Sequence, residues 1–325
     1  MPSPIHEASP IDGPSGEKLD IIVIGAGAMG GLFGGLLAES GQDVRLIDIA
    51  GAHLSALMEH GLRLETDRGS RTVRIPAGTA GMFDAACELA IMFTKGHATE
   101  MALRAARHLI PPSAWVLTVQ NGLGNVEVIR RVLPQARIAF GMTSLPADLK
   151  GPGHVSAHGS GAVRIWHAGP VAAGIHVIAD ALAQAGMDCL ADPLVEVAIW
   201  EKVAFNAAMN SISAVTRLSV GQIGDSAAGR ELVAGASGEA LRVAAAKGIA
   251  VDPERLRQMI EMAFADHRDH LPSMLQDIVA GRRTEIETIN GAIIAAGQAV
   301  GCATPILQAL RDLIRLLESA AAVVV

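Results

Sequence analysis

A doubly wound, mostly parallel α/β domain followed by an all-α domain is the fold class this sequence predicts, and three observations predict it. The first is a β-branched run, Leu19-Asp-Ile-Ile-Val-Ile24, that passes at once into a glycine-rich turn and then a helical stretch. The second is a series of short apolar runs alternating with helical segments as far as about residue 190, the pattern of strands joined by crossover helices. The third is a change near Asp192-Pro193, after which the sequence reads as nearly continuous helix. At 325 residues the chain is long for one core. Two domains are therefore expected, over residues 19–192 and 193–325, behind a tail at residues 1–18. That tail is rich in Pro, Ser and Gly and lacks the apolar core of a signal peptide.

Composition narrows the function classes. Half the residues are hydrophobic and only 18% are charged, as in a well-buried globular enzyme. A formal net charge of −7 and the lack of Lys or Arg runs give no electrostatic footprint for nucleic acid. Cys87, Cys189 and Cys302 lie far apart with no C-x-x-C pair, which reads as small core residues in a reducing cytoplasm. No apolar run reaches membrane-spanning length, so no membrane partner is expected.

Taken in order, the first strand ends in Gly25-Ala26-Gly27-Ala28-Met29-Gly30, and a helix follows to about Ser40, with Gly31, Gly34 and Gly35 keeping its sheet-facing side slim. Asp43-Val-Arg-Leu-Ile-Asp48 is the second strand. This is strand, G-x-G-x-x-G, helix, strand, with an acid about 20 residues on, the Rossmann fingerprint. Gly25 makes the tight turn, Gly27 lets a pyrophosphate approach the backbone, and Gly30 lets helix and strand pack closely. The phosphates would sit on the helix N-terminus, where unpaired N–H groups and the dipole favour anions. Asp48 stands where a carboxylate holds the ribose 2′-hydroxyl of NAD and repels a 2′-phosphate, which favours NADH over NADPH. Alternatively, Asp48 caps a helix starting near Gly51.

Leu62–Glu65 and Thr72–Ile75 read as a small hairpin. Leu89–Thr94 is a buried strand that delivers Lys95 to its C-terminal edge, and Trp115–Val119 is another, running into Gln120-Asn121-Gly122. Strand C-termini are where ligands bind in open α/β sheets, although Asn121-Gly122 also suits a plain turn. Ala136–Thr143 continues the sheet. Val155–Ala157 and Ala162–Ile165 suit an antiparallel extension of it, and residues 171–185 a further helix. Beyond Val195 helices are expected at about 195–217, 227–247, 253–265, 282–300 and 305–322, with Pro253 and Pro305 at helix starts.

Two stretches of the helical domain carry chemistry. In Trp200-Glu-Lys202-Val-Ala-Phe-Asn206-Ala-Ala-Met-Asn210 the residues Lys202, Asn206 and Asn210 are spaced four positions apart. They lie within roughly 80° of arc along about 12 Å of one helix face. The stripe faces either water or a ligand with a carbonyl and a carboxylate. Further on, Ser273 is a candidate N-cap for a helix to Val279, Gly281 turns the chain, and Glu285 falls in the first turn of the next helix. A carboxylate there can be a mere dipole complement. His267 with His270, and His154 with His158, lack ligand sets at a recognisable metal spacing.

From about Ile21 to Leu317 the chain resembles the ketopantoate reductases (2-dehydropantoate 2-reductases). The resemblance rests on four motifs in order. These are Gly25-Ala-Gly-Ala-Met-Gly30; Gln120-Asn-Gly122; Trp200-x-Lys202-x3-Asn206-x3-Asn210; and Ser273-Met-Leu-Gln-Asp with Gly281-Arg-x-Thr-Glu285-Ile. It implies a Rossmann domain and a helical domain with the active site in a cleft between them. It also implies hydride transfer from NAD(P)H to the ketone of a small 2-keto acid, ketopantoate giving (R)-pantoate, a step toward pantothenate and coenzyme A. By the same resemblance Lys202 donates the proton and Glu285 helps place it. Asn121, Asn206, Asn210 and Ser273 bind the substrate and the nicotinamide end, and Lys95 faces the cofactor. A homodimer built through the helical domain is the expected assembly. Two departures point to a relative acting on another D-2-hydroxy acid with NAD. Asp48-Ile49-Ala50 stands where members using NADPH carry a basic residue. Ser211 and Ser219-Val220-Gly221 stand where the family commonly reads Pro or a small residue and then Asn-Gly.

Overall fold

The computed structural model describes residues 18–169 and 174–323, and its chain clusters into two compact units. The first runs up to Gln120 and resumes from Asn125 to Val195; the second takes Asn121–Gly124 and everything from Glu196 onward. The expected tail, apart from Lys18, and the first residues of the helix expected at 171–185 lie outside the described residues.

In the first unit the elements are β1 (Asp20–Ile24), α1 (Ala28–Glu39), β2 (Asp43–Ile47), α2 (Ala52–His60), β3 (Leu62–Thr66), β4 (Gly69–Val73), β5 (Ala77–Gly78) and β6 (Leu89–Met92). They continue as α3 (Thr99–Ala106), β7 (Trp115–Thr118), α4 (Asn125–Val132), β8 (Arg137–Thr143), β9 (Asp148–Gly151), β10 (His154–Ala157), β11 (Ala162–His167), α5 (Ile175–Gln184) and β12 (Asp188–Ala191). The main sheet runs β12-β11-β8-β7-β6-β1-β2-β5, and every pairing from β5 to β8 is parallel. The doubly wound Rossmann sheet is therefore present, with β11 added antiparallel to β8.

Its core follows from strand periodicity. In β1, Ile21 and Val23 join one apolar cluster with Leu46, Leu89, Ile91 and Leu117, while Ile22 and Ile24 join another with Ile47, Ala90, Met92 and Val116. Side chains of alternate residues leave opposite faces, so both faces must be covered, and continuous apolar runs are the result. Phe33 and Leu37 of α1 and Ile178 and Leu182 of α5 cover one face; Leu103 of α3 and Ile129 of α4 cover the other.

The second sheet, β4-β3-β10-β9, departs from expectation. The hairpin is there, but its second strand is Gly69–Val73, earlier than Thr72–Ile75. β10 does not extend the main sheet: it lies parallel to β3 and antiparallel to β9. The cause is α1, which is wedged between two layers. A Cβ on Gly34 would fall 2.6 Å from Leu46 Cδ2 of the main sheet, while one on Gly31 would fall 2.8 Å from Val155 Cγ2 of β10. The glycines slim two sides of the helix rather than one. β5, β9 and β12 carry too little apolar periodicity to be expected.

The second unit is helical among its described residues: α6 (Val195–Thr216), α7 (Val220–Asp225), α8 (Ala227–Ala246), α9 (Pro253–Asp266), α10 (Ser273–Val279), α11 (Ala292–Ala299) and α12 (Pro305–Val323). Asp252 caps α9 by accepting the Glu254 N–H at 2.9 Å, with Pro253 opening the helix. The short α7 was not expected. It is nucleated by a capping box in which Ser219 and Gln222 satisfy each other's backbone. The helix expected at 282–300 begins later, as one π turn over Glu287–Gly291 that leads into α11.

Candidate active site

The glycine turn is built as its spacing requires. Gly25 has φ +94°, and a Cβ there would lie 2.6 Å from the Thr94 nitrogen and 2.8 Å from the Phe93 carbonyl carbon. Only glycine lets this turn lie against the chain leaving β6. A Cβ on Gly30 would fall 1.9 Å from the Gly25 oxygen, which is the close packing expected of it. Gly27 differs: nothing lies within 4 Å of its missing Cβ. No side chain caps the first N–H groups of α1, which starts just beyond it. Open space in front of an uncapped helix N-terminus suits a pyrophosphate. The turn also sits where the strand order reverses, between β1 and β6, the usual ligand crevice of such sheets.

Asp48 follows β2 and is held by two backbone donors, Ala26 N–H to Oδ2 at 2.8 Å and Ile49 N–H to Oδ1 at 2.7 Å. It does not cap α2, whose N-cap is Gly51 with no side-chain cap. The Ala26 bond explains why: the carboxylate is drawn toward the glycine turn. Lys95 stands three residues past β6, partly buried, at the entrance to a tight turn over Gly96–Ala98. Buried Gln120 fastens that region by donating to the Thr94 carbonyl and, at 2.9 Å, to the Thr99 hydroxyl, while accepting from the Thr118 hydroxyl at 2.9 Å.

In the helical unit, α6 carries Lys202, Asn206 and Asn210 along one face. Val203, Ala204, Ala207, Ala208 and Met209 around them are buried. Lys202 and Asn206 are partly buried, and Asn210 is 6% exposed. Among the described residues no side-chain hydrogen bond engages the two amides. Burial pushes the Lys202 ammonium down to about 8, and the charge of Glu285 pushes it back up.

Glu285 is placed from several sides. The Thr284 N–H donates to Glu318 Oε1 at 2.7 Å, and Arg315 clasps Glu287 at 2.6 and 2.9 Å, so α12 fastens the segment on both sides of it. The Glu285 carbonyl accepts the Thr288 and Ile289 N–H groups at 3.1 and 3.0 Å, which puts the residue at the mouth of the π turn rather than inside a first α-turn. Asn121 Nδ2 donates to Glu285 Oε2 at 3.4 Å. The loop reaches it because Leu123 N–H donates to the Thr288 carbonyl at 2.8 Å. Gly122 makes room: at φ +86° its Cβ would lie 2.2 Å from that same oxygen. Asn121-Gly122 is thus more than a surface turn.

Lys202, Glu285 and Asn121 are brought together, and helix periodicity sets Asn206 and Asn210 on the face that Lys202 occupies. Ser273 is exposed, and no hydrogen bond among the described residues joins it to them. Nor is it the N-cap. Pro272, at φ −57° and ψ 152°, occupies that position, so Ser273 is the first helical residue and its hydroxyl makes no cap.

Asn290 was not among the residues expected at the site. It is fully buried in the π turn, donates through Nδ2 to the Ala207 carbonyl at 3.2 Å and to the Ser211 hydroxyl at 3.4 Å, and leaves Oδ1 without a partner. An Asn-Gly pair inside an apolar helical run was the available signal, since both are poor helix formers. π turns recur at functional sites. Among the described residues no cluster of His, Cys, Asp or Glu could hold a metal. His154 and His158 pair instead with Glu65 and Asp67. No described helix is long and apolar enough to cross a membrane.

Comparison with known proteins identifies the family. Residues 21–169 match the family model "Ketopantoate reductase PanE/ApbA", and residues 195–318 match its C-terminal counterpart. A 2-dehydropantoate 2-reductase of Streptococcus pyogenes is 32% identical over 302 residues, covering 92% of this chain and 98% of that one. One from Pyrococcus horikoshii is 33% identical, covering 93% and 98%. Among solved structures, D-mandelate dehydrogenase with NADH and anilino(oxo)acetate superposes with a TM-score of 0.89 at 31% identity, covering 93% and 99%. A PanE/ApbA family ketopantoate reductase from Ralstonia eutropha JMP134 gives 0.86 at 30% identity, with the same coverage. The chain therefore belongs to the ketopantoate reductase family of nicotinamide-dependent oxidoreductases.

Proposed function

We propose that the protein reduces a small 2-keto acid to its D-2-hydroxy acid, with ketopantoate reduced to (R)-pantoate as the reaction the family favours. The observation that carries this reading is Lys202: a cation set among the buried apolar residues of α6, still protonated near neutrality, with Glu285 beside it and two unengaged amides along its face.

Reduction of a ketone builds negative charge on its oxygen. The Lys202 ammonium stabilises that charge and then transfers a proton from Nζ to the new alkoxide. Glu285 offsets part of the desolvation, so that the proton is present at neutral pH yet easily given up. Asn206 and Asn210 offer N–H donors to the substrate carboxylate, and Asn121 bridges from Glu285 toward the reacting end. The nicotinamide cofactor supplies the hydride. For its binding, the turn from Gly25 to Gly30 would take the pyrophosphate, Asp48 the adenosine ribose, and Lys95 the crevice beside β6.

A second reading is a dehydrogenase of a bulkier D-2-hydroxy acid that uses NADH, and two observations favour it. Asp48 presents a carboxylate where a 2′-phosphate would need a cation. Val220 is buried in the apolar cluster of the helical unit, where a polar side chain is common in the family. The D-mandelate dehydrogenase likeness supports it further. Initial rates with ketopantoate and phenylglyoxylate, each with NADH and NADPH, separate the two. The first predicts higher kcat/KM on ketopantoate. Equal or better turnover of phenylglyoxylate with NADH rejects it, and a preference for NADPH rejects the reading of Asp48.

A further inference from the structure

Ala26 lies inside the glycine turn, and each of its backbone polar groups is held by a side chain. Its N–H donates to Asp48 Oδ2 at 2.8 Å, and its carbonyl accepts from His53 Nε2 at 2.8 Å. His53 belongs to α2, and its other ring nitrogen, Nδ1, accepts the Gly153 N–H at 3.0 Å. These partners settle the tautomer. An amide nitrogen can only donate, so Nδ1 carries a lone pair; a carbonyl can only accept, so Nε2 carries the hydrogen.

Gly153, in the turn between β9 and β10, is held in its turn. It has φ +67°, its missing Cβ would lie 3.1 Å from Ala56 Cβ of α2, and its carbonyl accepts the Arg63 N–H of β3 at 2.8 Å. The smaller sheet, α2 and the glycine turn are thus joined through one imidazole.

We propose that His53 is a positioning residue for the pyrophosphate-binding turn. The peptide between Ala26 and Gly27 is planar and trans, so pinning its carbonyl toward His53 turns the Gly27 N–H to the opposite edge. Gly27 is the residue with open space in front of it. Asp48 sets the preceding peptide in the same way: holding the Ala26 N–H turns the Gly25 carbonyl away, toward the slot that Gly30 leaves. Both planes flanking Ala26 are fixed before any ligand arrives. Such preorganisation lowers the ordering cost of binding. Asp48 therefore serves the turn as well as the ribose.

The proposal rests on the reading that this turn takes the dinucleotide, and the test separates the two. NADH affinity of the full-length protein without substrate is measured by calorimetry for wild type, His53→Ala and His53→Gln, alongside thermal melting and steady-state kinetics. Glutamine can offer an N–H to the Ala26 carbonyl and an oxygen to the Gly153 N–H; alanine offers neither. His53→Ala is expected to raise the NADH Kd and KM about tenfold, the effect of losing one anchoring hydrogen bond, with a much smaller change in kcat. His53→Gln is expected to return both to within about threefold of wild type. Faster amide hydrogen exchange at residues 24–30 of ligand-free His53→Ala, with β6 and β7 still protected, is the matching signature. Wild-type Kd in His53→Ala, a fall in kcat with unchanged KM, or a glutamine variant as weak as alanine while melting like wild type overturns the proposal. Should His53→Ala not fold, His53→Leu takes its place, filling the space while offering neither hydrogen bond, and the same outcomes decide. If wild type binds neither NADH nor NADPH, the reading of the turn fails instead.

Discussion

Replacing Glu285 by Gln keeps the shape of the side chain and removes the charge that holds the Lys202 proton in place. With the carboxylate present, Lys202 titrates at about 8, so about three quarters of the molecules carry the proton at pH 7.5. An opposite charge at close range strengthens a neighbour's hold on its proton by roughly 10- to 1,000-fold, so Lys202 holds its proton more weakly without Glu285. Losing a factor of about 100 leaves some 3% of molecules protonated at pH 7.5 and lowers kcat about 25-fold, within a range of about 3-fold to about 200-fold. The sign follows from which form works. With Lys202 as the proposed proton donor, reduction needs the ammonium, so kcat is full at low pH and lost as pH rises through the lysine pKa. Glu285→Gln moves that loss to lower pH, and much of the activity returns toward pH 5. Oxidation of the hydroxy acid needs the free amine and rises through the same pKa. Rate profiles in both directions between pH 5 and 9.5, at saturating cofactor, provide the assay. A reduction limb unmoved in Glu285→Gln, or wild-type reduction flat to pH 9.5, refutes the coupling of these two residues.

Two further outcomes concern the backbone. Gly122→Ala is strained twice, by φ +86° and by a Cβ 2.2 Å from the Thr288 carbonyl oxygen. It should destabilise the fold by about 2 kcal/mol or more in urea melts and reduce turnover by at least roughly tenfold through displacement of Asn121. Arg217 sits just past α6, exposed, and is the only non-glycine described residue with positive φ, at 61°. Arg217→Gly removes that cost and should stabilise the protein by about 1 kcal/mol, seen as a higher denaturant midpoint with an unchanged slope.

Much of the candidate site's local geometry was legible because its signals are local. The roles of Gly25 and Gly30 follow from how a strand must turn into a helix that packs back on it, and the structure places obstructing atoms where those roles require. The stripe of Lys202, Asn206 and Asn210 follows from helix periodicity, and α6 runs through it unbroken. Ser273 misled because serine before a helix is usually a cap, and nothing in residue type shows that Pro272 takes the extended position first. β10 misled because a short apolar strand does not state its partner; wedging by Gly31 against Val155 sent it to the second sheet.

What the sequence determined by itself was the set of elements whose geometry depends on a few adjacent residues: the glycine turn, the helix starts at Pro253 and Pro305, and the polar face of α6. Backbone sterics and side-chain periodicity act over one or two turns, so a short window contains them. What only the tertiary structure decided was which distant groups meet. The Thr288 carbonyl takes the Leu123 N–H and delivers Asn121 to Glu285, and His53 joins Gly153 to Ala26. The lowered pKa of Lys202 belongs to the same class, because desolvation is a property of everything packed around an atom rather than of its neighbours in the chain.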